Sequence, residues 1–216
     1  MLLPRVRYLA VVAALVACSP SAALCQPVST PEPPAAAAPL TADAYVAVTG
    51  AERVHWIVDG TIGFQSLVIA GPLADAWQTA FNTPEEWGRG WSGIAKRYGQ
   101  READVAISNT IEGGLGAIWG EDPRYINSGR KGIWPRARYA LKTSVLAQRR
   151  DGSLKPAWAR YAGNTLNNVI ENAWLPPSQT TASQTALRSG MGILTRMGGN
   201  LWEEFWPDVR KLLKRK

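Results

Sequence analysis

Ile111-Glu112-Gly113-Gly114-Leu115-Gly116-Ala117-Ile118-Trp119-Gly120-Glu121-Asp122-Pro123-Arg124-Tyr125 is the stretch around which the chain is organised. Its small residues at 113, 114, 116, 117 and 120 permit close approach of another backbone, as at tight helix–helix contacts. Pro123 lacks an amide hydrogen and biases Asp122 away from helical geometry, so a helix must end here. The expectation is a central helix over 100–119 with Val105, Ile107, Ile111, Leu115 and Ile118 as its apolar positions.

The rest reads as helices that cover this one. Over 51–82, Val54, Ile57, Val58, Ile62, Leu67, Ile69, Leu73, Trp77 and Phe81 recur mostly every three or four residues, as the buried stripe of an amphipathic helix does. Gly60, Gly63, Gly71 and Pro72 divide it into two shorter helices, and a strand over 54–58 is the competing reading. Thr83-Pro84-Glu85-Glu86 has the composition of a helix start, leading to Trp87, Trp91 and Ile94 and ending at Gly99. A helix over 136–149 stops at Asp151-Gly152; the next opens at Pro156 and stops before Pro176-Pro177. Over 180–199, Leu187, Met191, Leu194 and Met197 form a stripe that reads as core filler. The fold class is therefore all-α: a single bundle of five to seven glycine- and alanine-rich helices over 51–216.

The N-terminus reads as a cleaved secretory signal over 1–25. Arg5 and Arg7 precede an unbroken apolar run over 8–17, too short to cross a bilayer. Two processing routes stay open. Leu15-Val16-Ala17-Cys18 looks like the lipobox of bacterial lipoproteins and makes Cys18 the lipidation candidate, while Ala23-Leu24-Cys25 suits ordinary cleavage before Gln26. Residues 26–50 begin as a Pro/Ala-rich linker that cannot bury a core. Both cysteines lie at or before position 25, so the domain is held by packing rather than by disulfides.

The formal net charge is +7, and removal of Arg5 and Arg7 with the leader lowers it by two to +5. Such a balance suits anionic lipid or an envelope polymer, and export places nucleic acid last among the partners. Ten tryptophans against three phenylalanines fit either a core between small-residue helices or a surface at the boundary of apolar and wet phases. In the C-terminal segment Trp202 and Trp206 adjoin Lys211, Lys214 and Arg215, a pattern shared by membrane-surface anchors and by solvated charge runs. In the mature chain, no run of 18 residues is wholly apolar; the nearest, over 62–81, contains Gln65, Pro72 and Asp75, which argues against a conventional spanning helix.

Familiar chemistry is sparse. One histidine, His55, cannot supply a histidine-based metal site, and no nucleophile elbow or phosphate-binding glycine loop accompanies it, so neither a metal nor a cofactor is expected. What remains is polar groups on small-residue helices. Asn109 and Glu112 lie three apart; Asn164, Asn167, Asn168 and Glu171 recur at helical spacing, and Arg124 or Arg138 could close a network between them. Glu112, Asp122 and Arg124 are the catalytic candidates, with a structural ion pair of Glu112 and an arginine as the alternative.

Gly120-Glu121-Asp122-Pro123-Arg124-Tyr125, Asn172-Ala173-Trp174-Leu175-Pro176 and Glu204-Phe205-Trp206-Pro207-Asp208 together resemble the boxes of a family of bacterial exported proteins of unknown function, over roughly residues 52–213. The resemblance implies one domain behind a signal peptide and carries no reaction. The expected function is a non-catalytic, envelope-associated protein that contacts the membrane or an envelope partner and resides in the periplasm or at the outer-membrane periphery. Two alternatives are an envelope enzyme using Glu112 with Arg124 or Asp122, and a carrier of lipid or another small apolar ligand.

Overall fold

A computed structural model describes residues 45–214. The proposed leader, Cys18 and Arg215 lie outside the described residues, as does the Lys214 side chain. Helices α1 (Gly50–Ile62) and α2 (Gly71–Ala80), with the π-helical segment Gln65–Ala70 between them, form one bent rod, Gly50–Ala80. It is followed by α3 (Trp91–Trp119), α4 (Ile133–Val145), α5 (Trp158–Glu171) and α6 (Ala182–Lys214). A short antiparallel hairpin of β1 (Leu146–Gln148) and β2 (Leu154–Pro156) separates α4 from α5. The class is all-α, and α3 is the hub: α1, α2 and α5 pack on it, while α6 packs on α4 and α5.

Local chemistry accounts for several boundaries. Thr49 and Glu52 form a reciprocal capping box at the start of α1, with 3.2 Å from the Glu52 amide to Thr49 Oγ1 and 2.8 Å from the Thr49 amide to Glu52 Oε2. Gly120 ends α3 at φ 73°, a left-handed conformation that glycine adopts without steric cost. In α5, a Cβ on Gly163 would sit 3.0 Å from the Ser108 carbonyl oxygen of α3, so only glycine allows these two backbones to approach so closely.

Other expectations are corrected. The strand reading of 54–58 gives way to α1. The helix expected to start at Thr83-Pro84 is reduced to one 3-10 turn, Glu85–Trp87, because the Arg97 guanidinium draws the carbonyls of this loop inward. Gly99 does not end a helix. Tyr98 and Arg101 on either side of it are anchored on the rod, at 2.8 Å to the Leu67 carbonyl and 2.8 Å to Ser66 Oγ. These bonds offset the roughly 1 kcal/mol by which an interior glycine weakens a helix. Gly198-Gly199 likewise lie inside the single helix α6, which Asn200 and Glu204 pin to its neighbours. The hairpin arises where α4 stops short of 149, as Arg160 binds the carbonyls of Thr143 and Ser144 at 2.7 and 3.0 Å.

The largest departure concerns sidedness. Among the described residues the buried apolar side chains are Ile126, Tyr139 and four alanines, whereas seventeen polar or charged residues are buried. The apolar stripe expected to face the core points outward: Val54, Val58, Ile62, Ile69, Leu73, Trp77 and Phe81 are exposed. The inner face of the same rod carries Arg53, Ser66, Gly71 and Asp75. Leu187, Met191 and Leu194 on α6 are exposed as well, so they are not core filler. None of the ten tryptophans is buried, and seven are exposed. Gly114, expected at a packed contact, faces open space, while Gly113 and Gly116 take Ile57 and Arg53.

Candidate functional site

The polar side chains that the helices turn inward form a row of hydrogen bonds and ion pairs along α3. Arg97, Arg101, Asp104, Ser108 and Glu112 follow one another at three- and four-residue spacing, so they share one helical face. On α6 the same logic aligns Arg188, Gly192, Arg196, Asn200 and Glu204, each one turn from the last.

Glu112 lies at the centre. Its Oε1 is 3.0 Å from Arg160 Nε of α5 and 3.6 Å from Arg196 Nη2 of α6. Arg160 spends its other donors on the end of α4, so one guanidinium ties three helices together. This is the structural ion pair that the sequence left open, formed with Arg160 and Arg196. Neither Arg124 nor Arg138 takes part: Arg138 is exposed on α4, and Arg124 has other partners.

Asp122 and Arg124 make a second cluster just beyond α3. Arg124 Nη2 donates to Asp122 Oδ2 at 2.8 Å, and its Nη1 reaches Glu52 Oε1 at 3.1 Å. The Tyr45 hydroxyl donates to Asp122 Oδ2 at 3.2 Å, and burial together with that carboxylate pushes the Tyr45 phenol up to about 12. Glu121, also buried, accepts from the Ala159 amide at 2.9 Å and pairs with Arg149 at 3.0 Å. A carboxylate at the start of α5 suits the positive end of the helix dipole. Glu112 pairs with Arg160 and Arg196 while Asp122 and Arg124 pair with each other, so among the described residues no ion pair joins Glu112 to either member of its proposed catalytic combination.

The expected amide network is split in two. Asn109 faces α1, donating to Thr61 Oγ1 at 3.4 Å, and is not joined to Asn164 or Asn168. Those two face α6: Asn164 donates to the Ser189 carbonyl at 2.6 Å, and Arg188 Nε donates to Asn168 Oδ1 at 3.1 Å. Glu171 lies 3.8 Å from Arg188.

Sequence reasoning passed over Glu204, the most fully engaged carboxylate. It accepts from the Tyr125 hydroxyl at 2.6 Å, the Ser128 amide at 3.0 Å, Ser128 Oγ at 2.5 Å and Arg136 Nε at 2.9 Å. Burial opposes its charge, yet the bonds from Ser128, Tyr125 and Arg136 hold its carboxyl below the usual range. Arg97, fully buried, was missed too. A charged residue every turn on a helix whose other faces are apolar was the available signal.

Around this interior lies the apolar exterior. The rod Gly50–Ala80 is, among the described residues, the helix long and apolar enough by length and composition to cross a membrane, which the absence of an unbroken apolar run had argued against. Trp91 and Trp119 mark the two ends of α3. Trp174 donates to Gln100, a third of the way along it, and Trp158 opens α5 beside Glu121, just past its end. Trp202 stacks on Trp206 with ring centroids 4.8 Å apart, and Trp202 and Lys211 are exposed. An open groove of about 630 Å³ beside α1 is lined by the charged side chains of Glu52, Asp59, Arg124 and Glu203 and by apolar surface that includes Ala51 and Trp56. Comparison of the chain with protein-family models, with curated proteins and with solved structures finds no match.

Proposed function

We propose that the chain is a non-catalytic, membrane-associated protein of the cell envelope whose apolar exterior meets lipid. The observation that carries this reading is the inversion of sidedness: ion pairs and amides inside, valine, isoleucine, leucine and tryptophan outside. In water such a surface is costly and would drive association, because monomeric soluble proteins rarely expose apolar patches beyond a few hundred Å². Against acyl chains the same surface costs nothing, and the expensive groups are the charges, which are best turned inward and paired.

Two further features support it. Lipid offers helices no hydrophobic drive to associate, so small residues and interhelical polar bonds must hold them together. This bundle uses both, at Gly163 and at Glu112–Arg160. Tryptophans gather near both ends of α3, whose 29 residues span roughly 43 Å at the helical rise. That is close to the full thickness of a bilayer with its headgroup regions, where aromatic belts sit. The leader read from the sequence supports placement in the envelope.

The test is fractionation of cells expressing the full chain, followed by tryptophan-fluorescence quenching in vesicles of brominated lipid. Retention in membranes after an alkaline carbonate wash, with strong quenching, is expected. A monomer that is stable and monodisperse in detergent-free buffer would overturn the reading.

A further inference from the structure

A small cavity at the C-terminal end of α3 gathers positive charge in excess. It measures about 180 Å³, and its lining includes Tyr45, Gly50, Arg53, Ala117, Gly120 and Arg150. Arg53 is 8% exposed, and its guanidinium donates to the carbonyls of Gly113 at 3.4 Å and Glu121 at 2.8 Å. Arg150 donates to the Ala117 carbonyl at 3.0 Å. A guanidinium carries five N–H donors, so both side chains keep donors to spare. Among the described residues neither forms an ion pair.

The carboxylates nearby are already matched. Glu52 and Asp122 share Arg124, Glu121 holds Arg149, and Asp151 in the hairpin turn feels Lys155. The neighbourhood thus holds five cations, Arg53, Arg124, Arg149, Arg150 and Lys155, against those four carboxylates, and one positive charge is left over. The carbonyls that end α3 supply only about half an elementary charge, and the start of α1 at Gly50 opposes them with a similar positive share. Burial lowers the Arg53 guanidinium from its ordinary value, Asp122 opposes that shift, and Arg150 adds to it. An anion in the cavity would answer both guanidiniums.

We propose that this cavity binds a phosphate group, gripped by Arg53 and Arg150, and that the phosphate belongs to the headgroup of an anionic phospholipid. Guanidinium forks match phosphate oxygens, and one surplus positive charge matches the single charge of a phosphodiester. The volume falls short of the roughly 300–1,000 Å³ that encloses a whole small-molecule ligand, so the phosphate enters and the rest of its molecule stays outside. Trp119, adjoining Gly120, and Trp158, at the start of α5, are both exposed at this end of α3, as aromatic side chains are at headgroup depth. The phosphate site stands on the cavity alone; the lipid as its bearer rests on the membrane reading above.

Calorimetric titration of the purified full chain in a neutral detergent tests it with three probes. Dioctanoyl phosphatidylglycerol should bind saturably, dioctanoylglycerol, which has the same acyl chains and no phosphate, should not bind, and inorganic phosphate should bind more weakly. Arg150 is exposed and its one bond goes to a carbonyl, so Arg150→Gln should keep the fold. It should weaken phosphatidylglycerol binding about tenfold or more through loss of a charge-assisted hydrogen bond. Lys96→Gln, exposed near the opposite end of α3, should leave binding unchanged. Binding of neither phosphatidylglycerol nor phosphate overturns the site, and so does an equal effect of the two substitutions. Inorganic phosphate binding as tightly as phosphatidylglycerol overturns the lipid as its bearer. A chain that stays in washed membranes yet binds neither probe loses this inference alone. One that binds phosphate yet leaves the membrane loses the membrane reading, and the lipid with it.

Discussion

Glu112 on α3 and Arg160 on α5 meet at 3.0 Å in the middle of the bundle, 48 residues apart in the chain and both buried. Breaking a buried pair from one side leaves the other charge stranded, at a cost of about 3–5 kcal/mol. Glu112→Gln is therefore expected to lower the melting temperature strongly, and Arg160→Met likewise. The double variant Glu112→Leu/Arg160→Met should recover much of the loss. Chemical denaturation of all three checks this, and a Glu112→Gln protein as stable as its parent would return Glu112 to the list of catalytic candidates.

Two glycines that look alike in sequence should respond oppositely to alanine. At Gly163 the new Cβ would meet the α3 backbone at 3.0 Å, and overpacking of this kind costs about 1–3 kcal/mol. At Gly114 nothing lies within 4 Å, so alanine gains helix propensity of about 1 kcal/mol. Melting temperatures measured side by side should move in opposite directions.

Acidification should unlatch the junction of α6 with the loop after α3. The Glu204 carboxyl is held below its usual range by Ser128, Tyr125 and Arg136, against the effect of burial. A depressed folded value means stability that is present above the unfolded pKa of about 4.3 and lost as pH falls through the folded value. Glu204→Gln should remove that acid-dependent step and lower stability at neutral pH. Equal acid sensitivity in parent and variant would count against the assignment.

Arg97 is expected to organise the loop before α3 rather than the bundle. Its guanidinium donates to the carbonyls of Thr83, Gly88 and Pro84 at 2.8, 2.7 and 3.1 Å. Replacement by alanine should raise amide hydrogen exchange across residues 83–90 while protection in α5 and α6 persists. Uniform loss of protection would show a global role instead.

A charge on the outer flank separates membrane contact from folding. Val58 is 45% exposed on α1. Val58→Lys should leave helical content unchanged and reduce partition into vesicles several-fold, because a charge facing lipid costs more than the apolar group it replaces. Unaltered partition would show that this flank does not meet the membrane.

The bundle was legible in the sequence wherever the signal was local. Gly120 with Pro123 ends α3, Asp151-Gly152 makes the hairpin turn, and three- and four-residue spacing marks α1, α5 and α6. The boundaries that failed, at Thr83-Pro84, Gly99 and Gly198-Gly199, were each decided by a distant side chain. Arg97, Tyr98, Arg101 and Glu204 supply bonds that outweigh local propensity there. Glu112 was singled out from its surroundings, but its true partners were not, because nothing near 112 points to 160 or 196.

The sequence by itself determined that the chain makes helices, where most of them turn, and that each carries one apolar and one polar stripe. Only the tertiary structure decided which stripe faces inward. The physical reason is that a helix repeats every 3.6 residues whatever medium surrounds it. Val54, Val58 and Ile62 show the same periodicity whether they cover a core or face outward. The choice is made by long-range bonds of polar groups turned inward: Arg53 to the Gly113 and Glu121 carbonyls, Asp104 to Asn167, Glu112 to Arg160, and Glu204 to Arg136.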